Sequence, residues 1–410
     1  MKAGKQMTKT RLSPLLALSA AVLLAGCSMM PAYERPAAPI ATDWPALSAA
    51  AAAPGAAGAS SAVAAADIEW QGFFSDARLR QLIEAALRNN RDLRLAVLNI
   101  EQARAQFQIR RADQFPAIGA AATGSRQPAA NGGIASIYTA GLAMTSYEFD
   151  FFGRVASLKD AALSQYLATE EGRKSAQISL VAAVANAYLS LLADEELFGI
   201  TRQTLATRED SFRLSQLRFD NGVSSELDVR QAESLTEAAR VSLAQLTRQR
   251  AQGQNALVLL LGQPATGELA VALPAGKGLA DMPVMIDVPA GLPSDLLTRR
   301  PDIRQAEQLL LASNANIGAA RAAFFPRISL TASAGSASAH LGDLFQSGSF
   351  GWTLAPQLVL PIFDAGRNRA GLASAIVGRD IAVAQYEKSI QTAFREVADA
   401  LAGRATLGEQ

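Results

Sequence analysis

Phe325-Pro326-Arg327-Ile328-Ser329-Leu330-Thr331-Ala332-Ser333-Ala334 changes character at its second residue. The residue before a proline is pushed out of the helical region, so a helix arriving at Phe325 must stop there. From Ile328 onward apolar and hydroxyl side chains alternate strictly, the two-residue period of a strand with one apolar face. A longer run, residues 352–363, puts Trp352, Leu354, Leu358, Leu360 and Ile362 on one face. Residues 117–126 and 137–149 form a weaker pair of the same kind, and the Gly- and Ser-rich stretches 127–136 and 339–349 suit hairpin loops. The runs approach the roughly nine to eleven residues of a membrane strand. Strands of a soluble sheet would show the same alternation. If the four cross a membrane they cannot close a barrel alone, since about eight strands is the minimum, and several chains must share one.

The same stretch belongs to a repeat. Phe115-Pro116-Ala117-Ile118 recurs as Phe325-Pro326-Arg327-Ile328, Arg111-Ala112 as Arg321-Ala322, and Asp92-Leu93 as Asp302-Ile303. Phe149-Asp150 followed by Gly153-Arg154 returns as Phe363-Asp364 followed by Gly366-Arg367, one residue closer. Each half reads helix, strand, strand, long helix. Between Pro128 and Pro264, and again after Pro361, there is no proline, and a mid-helix proline costs about 3 kcal/mol. Helical spacing runs from Arg154 to Asp220, through Val181, Val184, Tyr188, Leu191, Leu205, Phe212 and Leu217, a helix of about 100 Å. Asn221-Gly222 supplies a left-handed stop, and Ser224 or Ser225 can cap a second helix over residues 226–261, about 54 Å long. Along it Ala232, Leu235, Ala239, Ser242, Leu246, Gln249, Gly253, Ala256 and Leu260 have coiled-coil seam spacing built largely from small residues. An earlier helix, residues 76–114, is expected as one piece of about 58 Å that stacks end to end with the second to match the long one.

Thirty-eight basic against thirty-seven acidic residues in 410 leave a charge of +1, without the basic field that draws a chain onto nucleic acid. One Cys and one His exclude a structural zinc site or an internal disulfide. Lys2, Lys5, Lys9 and Arg11 precede an apolar run over residues 12–24, the pattern of an export signal. It ends in Leu24-Ala25-Gly26-Cys27, which resembles a bacterial lipobox and makes Cys27 the lipidation site; Ser28 after it favours the outer membrane. An ordinary signal peptide with an incidental Cys is the other reading. The Ala/Pro/Gly/Ser-rich segment that follows reads as an extended tether. No uncharged apolar stretch beyond it reaches the roughly eighteen residues of a spanning helix, so any crossing is by strands.

Several longer motifs then carry a resemblance to one family: Tyr33-Glu34-Arg35-Pro36, Trp70 with Phe73-Phe74, residues 148–154, residues 291–297 through Arg300-Pro301-Asp302, and Ala322-Ala323-Phe324-Phe325-Pro326. They resemble the outer-membrane factor lipoproteins of tripartite efflux systems, the TolC-like and specifically NodT-like family. The resemblance implies a mainly α chain with a membrane β-barrel part: a long coiled-coil hairpin plus four transmembrane strands, in a homotrimer whose shared twelve-stranded barrel continues as a periplasmic helical tunnel. Its domains would be a signal peptide (1–26), a lipidated tether (27–66), a first structural repeat (67–290) and an incomplete second one (291–410). Family members continue past the helix around Phe394-Arg395-Glu396-Val397 with a second turn and a final helix, so the sequence is expected to be a fragment or a truncated product. No gate residues are assigned, because the family's constricting aspartates belong to that part.

The hairpin tip, Arg213, Leu214 and Ser215 before the turn, Asn221, Gly222, Val223, Ser224 and Ser225 in it, Leu227 and Asp228 after it, matches the family's adaptor-contacting tip. Plain capping chemistry accounts for Gly222 and a following serine equally well. Trp352, Phe350 and Tyr138 are placed for an aromatic belt at the lipid headgroups, or for loop packing. His340 reads as a solvated loop residue. No nucleophile elbow, phosphate-binding loop or zinc motif occurs, so neither catalysis nor a cofactor is expected. The function expected is a passive outer-membrane export conduit, served by an inner-membrane transporter of the RND type through a periplasmic adaptor. The alternatives are the channel of a type I protein secretion system, or a lipid-anchored periplasmic scaffold without a pore.

Overall fold

The computed structural model describes residues 28–45, 67–128, 132–263, 278–279 and 293–407. The export signal, Cys27 and residues 46–66 of the expected tether lie outside the described residues. In chain order the elements are α1 (Trp70–Phe73), α2 (Ala77–Asn89), α3 (Arg91–Ala112), β1 (Ile118–Pro128), β2 (Ile134–Phe149), α4 (Arg154–Asp220), α5 (Glu226–Leu260), α6 (Asp295–Arg299), α7 (Pro301–Ala322), β3 (Arg327–Ser338), β4 (Phe350–Val359) and α8 (Arg367–Leu407). The long helix and the hairpin partner fall where periodicity put them.

The expected single helix over residues 76–114 is two. Asn90 sits in an extended conformation between α2 and α3, where its Oδ1 accepts from Leu93 N at 2.9 Å and caps α3. Its amide donates to Leu260 O at 3.0 Å, in the last turn of α5. Gly262, with φ +64°, abuts the Asn89 carbonyl so closely that an added Cβ would strike it. The end of α5 therefore meets the start of α3 through a side-chain splice, whereas α2 packs in one cluster with Leu257 of α5 instead of extending the stack. The strand expected through residue 363 also stops early, at Val359, which pairs with Arg327, the first residue of β3, so the residues after it have no ladder partner among the described residues.

The described residues divide into two units. One takes in Glu101–Thr169, Ile303–Gln391 and the chain up to Pro39. Its sheet has the order β1-β2-β3-β4, antiparallel throughout, with a register shift in β2 between Met144 and Tyr147 where Ser146 takes φ 53°. Residues 29–35 run extended along α7 as a strap rather than hanging free. The Tyr33 hydroxyl donates to Glu307 at 3.0 Å, Asn314 Nδ2 donates to Pro31 O at 2.9 Å, and Arg321 Nη1 to Met29 O at 3.4 Å. Backbone passes so close to Gly318 that a Cβ there would come within 2.9 Å of Met30 Cα. The contacts climb from position 307 to 321, about 21 Å of helix, while the strap covers 35 to 29, about 20 Å of fully extended chain. It runs antiparallel to the helix over this span.

The other unit takes in Ile40–Ile100, Glu170–Asp302 and Thr392–Gln410. Leu79, Leu82 and Ile83 of α2 interlock with Val184, Tyr188 and Leu191 of α4 and with Leu257 of α5. Each such side chain, fully buried, contributes roughly 1.5–3 kcal/mol. An 18-residue window of α4 reaches a mean hydropathy of 1.6, enough by length and composition to cross a membrane. This cluster covers its apolar face instead. Asp76 caps α2 through Arg78 N at 2.9 Å and accepts the Tyr188 hydroxyl at 2.9 Å, while burial, then Asp76, pushes the Tyr188 phenol up to about 12. Trp44 stacks on Phe394 with centroids 4.9 Å apart.

The expected α5 seam is half right. Ala232, Ala239, Leu246 and Gly253 keep their inward side, but the alternating partners are Thr236 and Leu257, both buried, rather than Leu235 and Ala256, which are exposed. The choice turns on Thr236, whose hydroxyl bonds Arg208 O across the hairpin at 3.2 Å as well as Ala232 O at 2.9 Å.

Candidate functional site: a two-faced sheet and a hairpin tip

Cross-strand pairing sorts every strand residue onto one of two faces. Ile118, Ala120 and Ala122 of β1 share a face with Ala140, Leu142 and Met144 of β2, with Ile328, Leu330, Ala332 and Ala334 of β3, and with Phe350, Trp352, Leu354 and Leu358 of β4. Toward the loop end this face becomes mixed, through Arg126, Ser136, Ser336 and Ser338. The opposite face carries Thr123, Ser125 and Gln127, then Thr139, then Ser329, Thr331 and Ser333, then Thr353 and Gln357. It is hydroxyl- and amide-rich, and Thr123 and Thr139 bond across it at 2.6 Å. One face suits hydrocarbon and the other water.

Phe350, Trp352 and Tyr138 all fall on the apolar face near its loop end, where a headgroup belt would lie. Tyr138 also has a packing role. Its ring covers Gly124, where an added Cβ would meet Cδ1 at 3.1 Å. Both edges of the sheet, β1 and β4, are unpaired among the described residues and exposed along their whole length.

Where β2 and β3 leave the sheet, Glu148 accepts Arg154 Nε at 2.8 Å and Nη2 at 2.7 Å, and Arg327 Nε at 2.5 Å. The hydrogen bond to Glu148 raises the Arg154 pKa further. Phe152 stacks on Phe325 with centroids 4.7 Å apart. Asp150 caps Ala156 N, and Asp364 serves Gly366 N and Asn368 N. These side chains line a crevice of about 480 Å³ whose carboxylates are engaged in caps and ion pairs. Among the described residues no three His, Cys, Asp or Glu cluster as metal ligands, and His340 lies exposed in its loop, 3.7 Å from Asp343.

At the hairpin tip α4 ends in a paired motif: Val223 N bonds Arg218 O and Gly222 N bonds Phe219 O, both at 2.8 Å, with Gly222 at φ +73°. Ser225, not Ser224, caps α5. Its side chain accepts from Asp228 N while Asp228 Oδ2 accepts from Ser225 N at 3.0 Å, a closed capping box. The bonds from Ser225, backbone first, hold the Asp228 carboxyl below the ordinary range. The rigid turn leaves Leu214, Val223 and Leu227 more than half exposed, with Arg213 beside Asp210 at 3.1 Å.

A sheet with one lipid-compatible and one water-compatible face, joined to helices of 67 and 35 residues, defines a membrane channel subunit of mixed barrel and helical-hairpin construction. The family model described as outer membrane efflux protein matches residues 82–263 and 292–410, and the chain belongs to that family. It is 50% identical to the probable efflux pump outer membrane protein TtgC of Pseudomonas putida over 412 residues, 98% of this chain and 82% of that protein. It is also 50% identical to outer membrane protein OprJ of Pseudomonas aeruginosa, covering 95% and 80%. Among solved structures, the open-state MtrE outer membrane channel of Neisseria gonorrhoeae superposes with a TM-score of 0.80 at 40% identity, covering 93% of this chain and 83% of that one. The chain is an outer-membrane efflux channel protein with its strands in the outer membrane and its helices in the periplasm.

Of the residues singled out from sequence, Asn221 to Ser225 form the turn, Leu227 and Asp228 lie in the first turn of α5, Arg213, Leu214 and Ser215 lie earlier on α4, and Cys27 lies outside the described residues. Sequence reasoning missed the strap's partner Glu307, the Glu148 ion-pair centre and the Asn90 splice. Only Asn90 left a local signal, an Asn followed by Arg91-Asp92, the pattern of a helix start.

Proposed function

We propose that three copies assemble into one passive conduit, fed by an RND-type inner-membrane transporter through a periplasmic adaptor, and anchored by an acyl chain on Cys27. The carrying observation is the sheet: four strands with an apolar face, a polar face whose charges are the paired Glu148 and Arg327 at its base, and two open edges, which in lipid must be closed by further copies. Energy comes from the transporter. The channel opens when adaptor docking realigns the hairpins, and catalysis has no part in it. The cargo is drugs or other small molecules, in keeping with the toluene and antibiotic efflux for which relatives are named.

Arg213, Leu214, Ser215, Asn221, Gly222, Val223, Ser224, Ser225, Leu227 and Asp228 form the adaptor contact in this reading. Support comes from a tip that is conformationally locked yet exposes Val223 at 67% and Leu227 at 65%, and from open space where a Gly222 side chain would project. The test is drug resistance in an efflux-deficient host. Wild-type chain should restore it, migrate as a heat-modifiable trimer and conduct in bilayers. Gly222→Asp should lose resistance with the trimer intact, and Gly222→Asn, which tolerates the left-handed backbone, should behave alike. Full resistance in both would remove the contact role. Cys27→Ser should abolish lipid labelling.

A further inference from the structure

The sheet is built twice over, and its internal register specifies how one copy meets the next. Phe325 lies 210 residues after Phe115, and Phe363 lies 214 after Phe149. Carrying β1 forward by the first offset and β2 by the second turns the pairing Ile118↔Met144 into Ile328↔Leu358, Ala122↔Ala140 into Ala332↔Leu354, and Arg126↔Ser136 into Ser336↔Phe350. All three are pairs of the actual β3–β4 ladder. The repeat is therefore a symmetry of the sheet, correct to the residue.

The same operation applies to the β2–β3 ladder, where the first repeat meets the second. Carrying β2 forward to β4 and β3 back to β1 leaves no partner within the chain, because β4 and β1 are opposite edges of the sheet. The partner must be β1 of a second copy. We infer that β4 pairs antiparallel with β1 of the next copy in the register Trp352↔Pro128, Leu354↔Arg126, Pro356↔Gly124 and Leu358↔Ala122, an inference that rests on the assembly proposed above.

The face assignment supports it independently. This register sets apolar-face residues of β4 against apolar-face residues of β1, and on the polar face it pairs Gln357 with Thr123 and Thr353 with Gln127. A slip of one residue would turn Trp352, Leu354 and Leu358 against the hydroxyl-lined side. Slips of two are excluded only by the repeat. At one pair the seam differs from its internal counterpart: Ala355 faces Ser125 where Gly141 faces Gly335, whose backbones approach too closely for any side chain.

Below the strands the operation explains an exposed residue. Glu148, its side chain only 10% exposed between Arg154 and Arg327, corresponds to Ile362, which is 94% exposed. Arg154 corresponds to Arg367, and Arg327 to Ala117, so the ion-pair centre of the internal seam becomes an isoleucine over an alanine between copies. Phe115, 64% exposed, corresponds to Phe325 in its stack with Phe152. The seam buries these groups against the neighbouring copy.

Paired cysteines read the register directly, since Cys27 is the only native cysteine. Two pairs cover both ladder classes, one of which brings Cβ atoms close enough for a disulfide: Gln357→Cys with Thr123→Cys, and Leu358→Cys with Ala122→Cys. Slipped controls are Gln357→Cys with Ala121→Cys or Ser125→Cys, and Leu358→Cys with Ala120→Cys or Gly124→Cys. On oxidation in outer membranes, at least one in-register pair should yield covalent dimers and trimers roughly fivefold above its slipped controls. Better crosslinking in a slipped pair, or none in any pair of a chain that still migrates as a trimer and restores resistance, overturns the register and leaves the conduit standing. A chain that stays monomeric in the membrane and confers no resistance overturns both.

Discussion

Arg35 grips Glu307 with two arms of its guanidinium, Nε to Oε1 at 2.7 Å and Nη2 to Oε2 at 3.0 Å. The carboxylate is 12% exposed and the arginine side chain 49%, so solvent screens part of the attraction, and the geometry matters as much as the charge. Glu307→Ala should free residues 28–36, with chymotrypsin cleaving after Tyr33 about tenfold faster than in wild type. An unchanged rate would mean that the Asn314 and Arg321 contacts alone hold the strap.

Tyr33 and Tyr188 should ionise late. Burial first, then the Glu307 charge, pushes the Tyr33 phenol up to about 12, and Tyr188 reaches a similar value. In the unfolded chain both sit near 10. Below about 10 both are protonated folded or unfolded, and their contribution is fully present; between about 10 and 12 the folded chain keeps protons the unfolded chain has lost, and stability falls as pH rises. Alkaline titration of phenolate absorbance should show a component above the ordinary tyrosine midpoint that shrinks in Tyr33→Phe and in Tyr188→Phe. A single transition near 10 in the folded protein would contradict it.

Asn90 has two separable tasks. Asn90→Asp keeps the acceptor for Leu93 N and loses the donor to Leu260 O, whereas Asn90→Ala loses both. The joint is buried, so the alanine variant should cost about 1–3 kcal/mol, and the aspartate variant should also leave the Leu260 carbonyl without this partner. Thermal melting of the purified protein should place both below wild type, with reduced amide protection in the last turn of α5. A wild-type melting temperature in Asn90→Ala would show the splice to be idle.

The internal ion-pair centre can be transplanted to the seam. Ile362→Glu alone should weaken the trimer, since it buries a carboxylate with only Arg367 at hand. Adding Ala117→Arg rebuilds on the neighbouring copy the partner that Arg327 provides for Glu148 within the chain. The dissociation temperature of the trimer on gels should fall in the single variant by several degrees and recover in the double. Equal losses in both would separate the base of the seam from its internal counterpart.

The elements set by short-range chemistry were legible: Pro116 and Pro326 mark helix-to-strand switches, Gly222 and the serine after it mark the tip, and the alternation from Ile328 gives the faces. What escaped depends on partners distant in sequence. The α5 seam was misassigned because small residues leave the period ambiguous, and a Thr236 hydroxyl bonding across the hairpin settled it. The strap escaped because its sequence lacks apolar periodicity; it is held by Glu307, more than 270 residues away. The strand ending at Val359 rather than Phe363 has the same cause, since the dyad pattern runs on but β3, which must pair with it, begins only at Arg327 after Pro326.

β1 and β4, each with one edge left open among the described residues, have a genetic consequence. If the open edge of each is closed by a neighbouring copy, as proposed above, an altered copy is inherited by every barrel it joins. A gene copy that assembles normally but carries a disabled hairpin tip should spoil its wild-type partners when the two are expressed together, and resistance should fall well below half when the doses are equal.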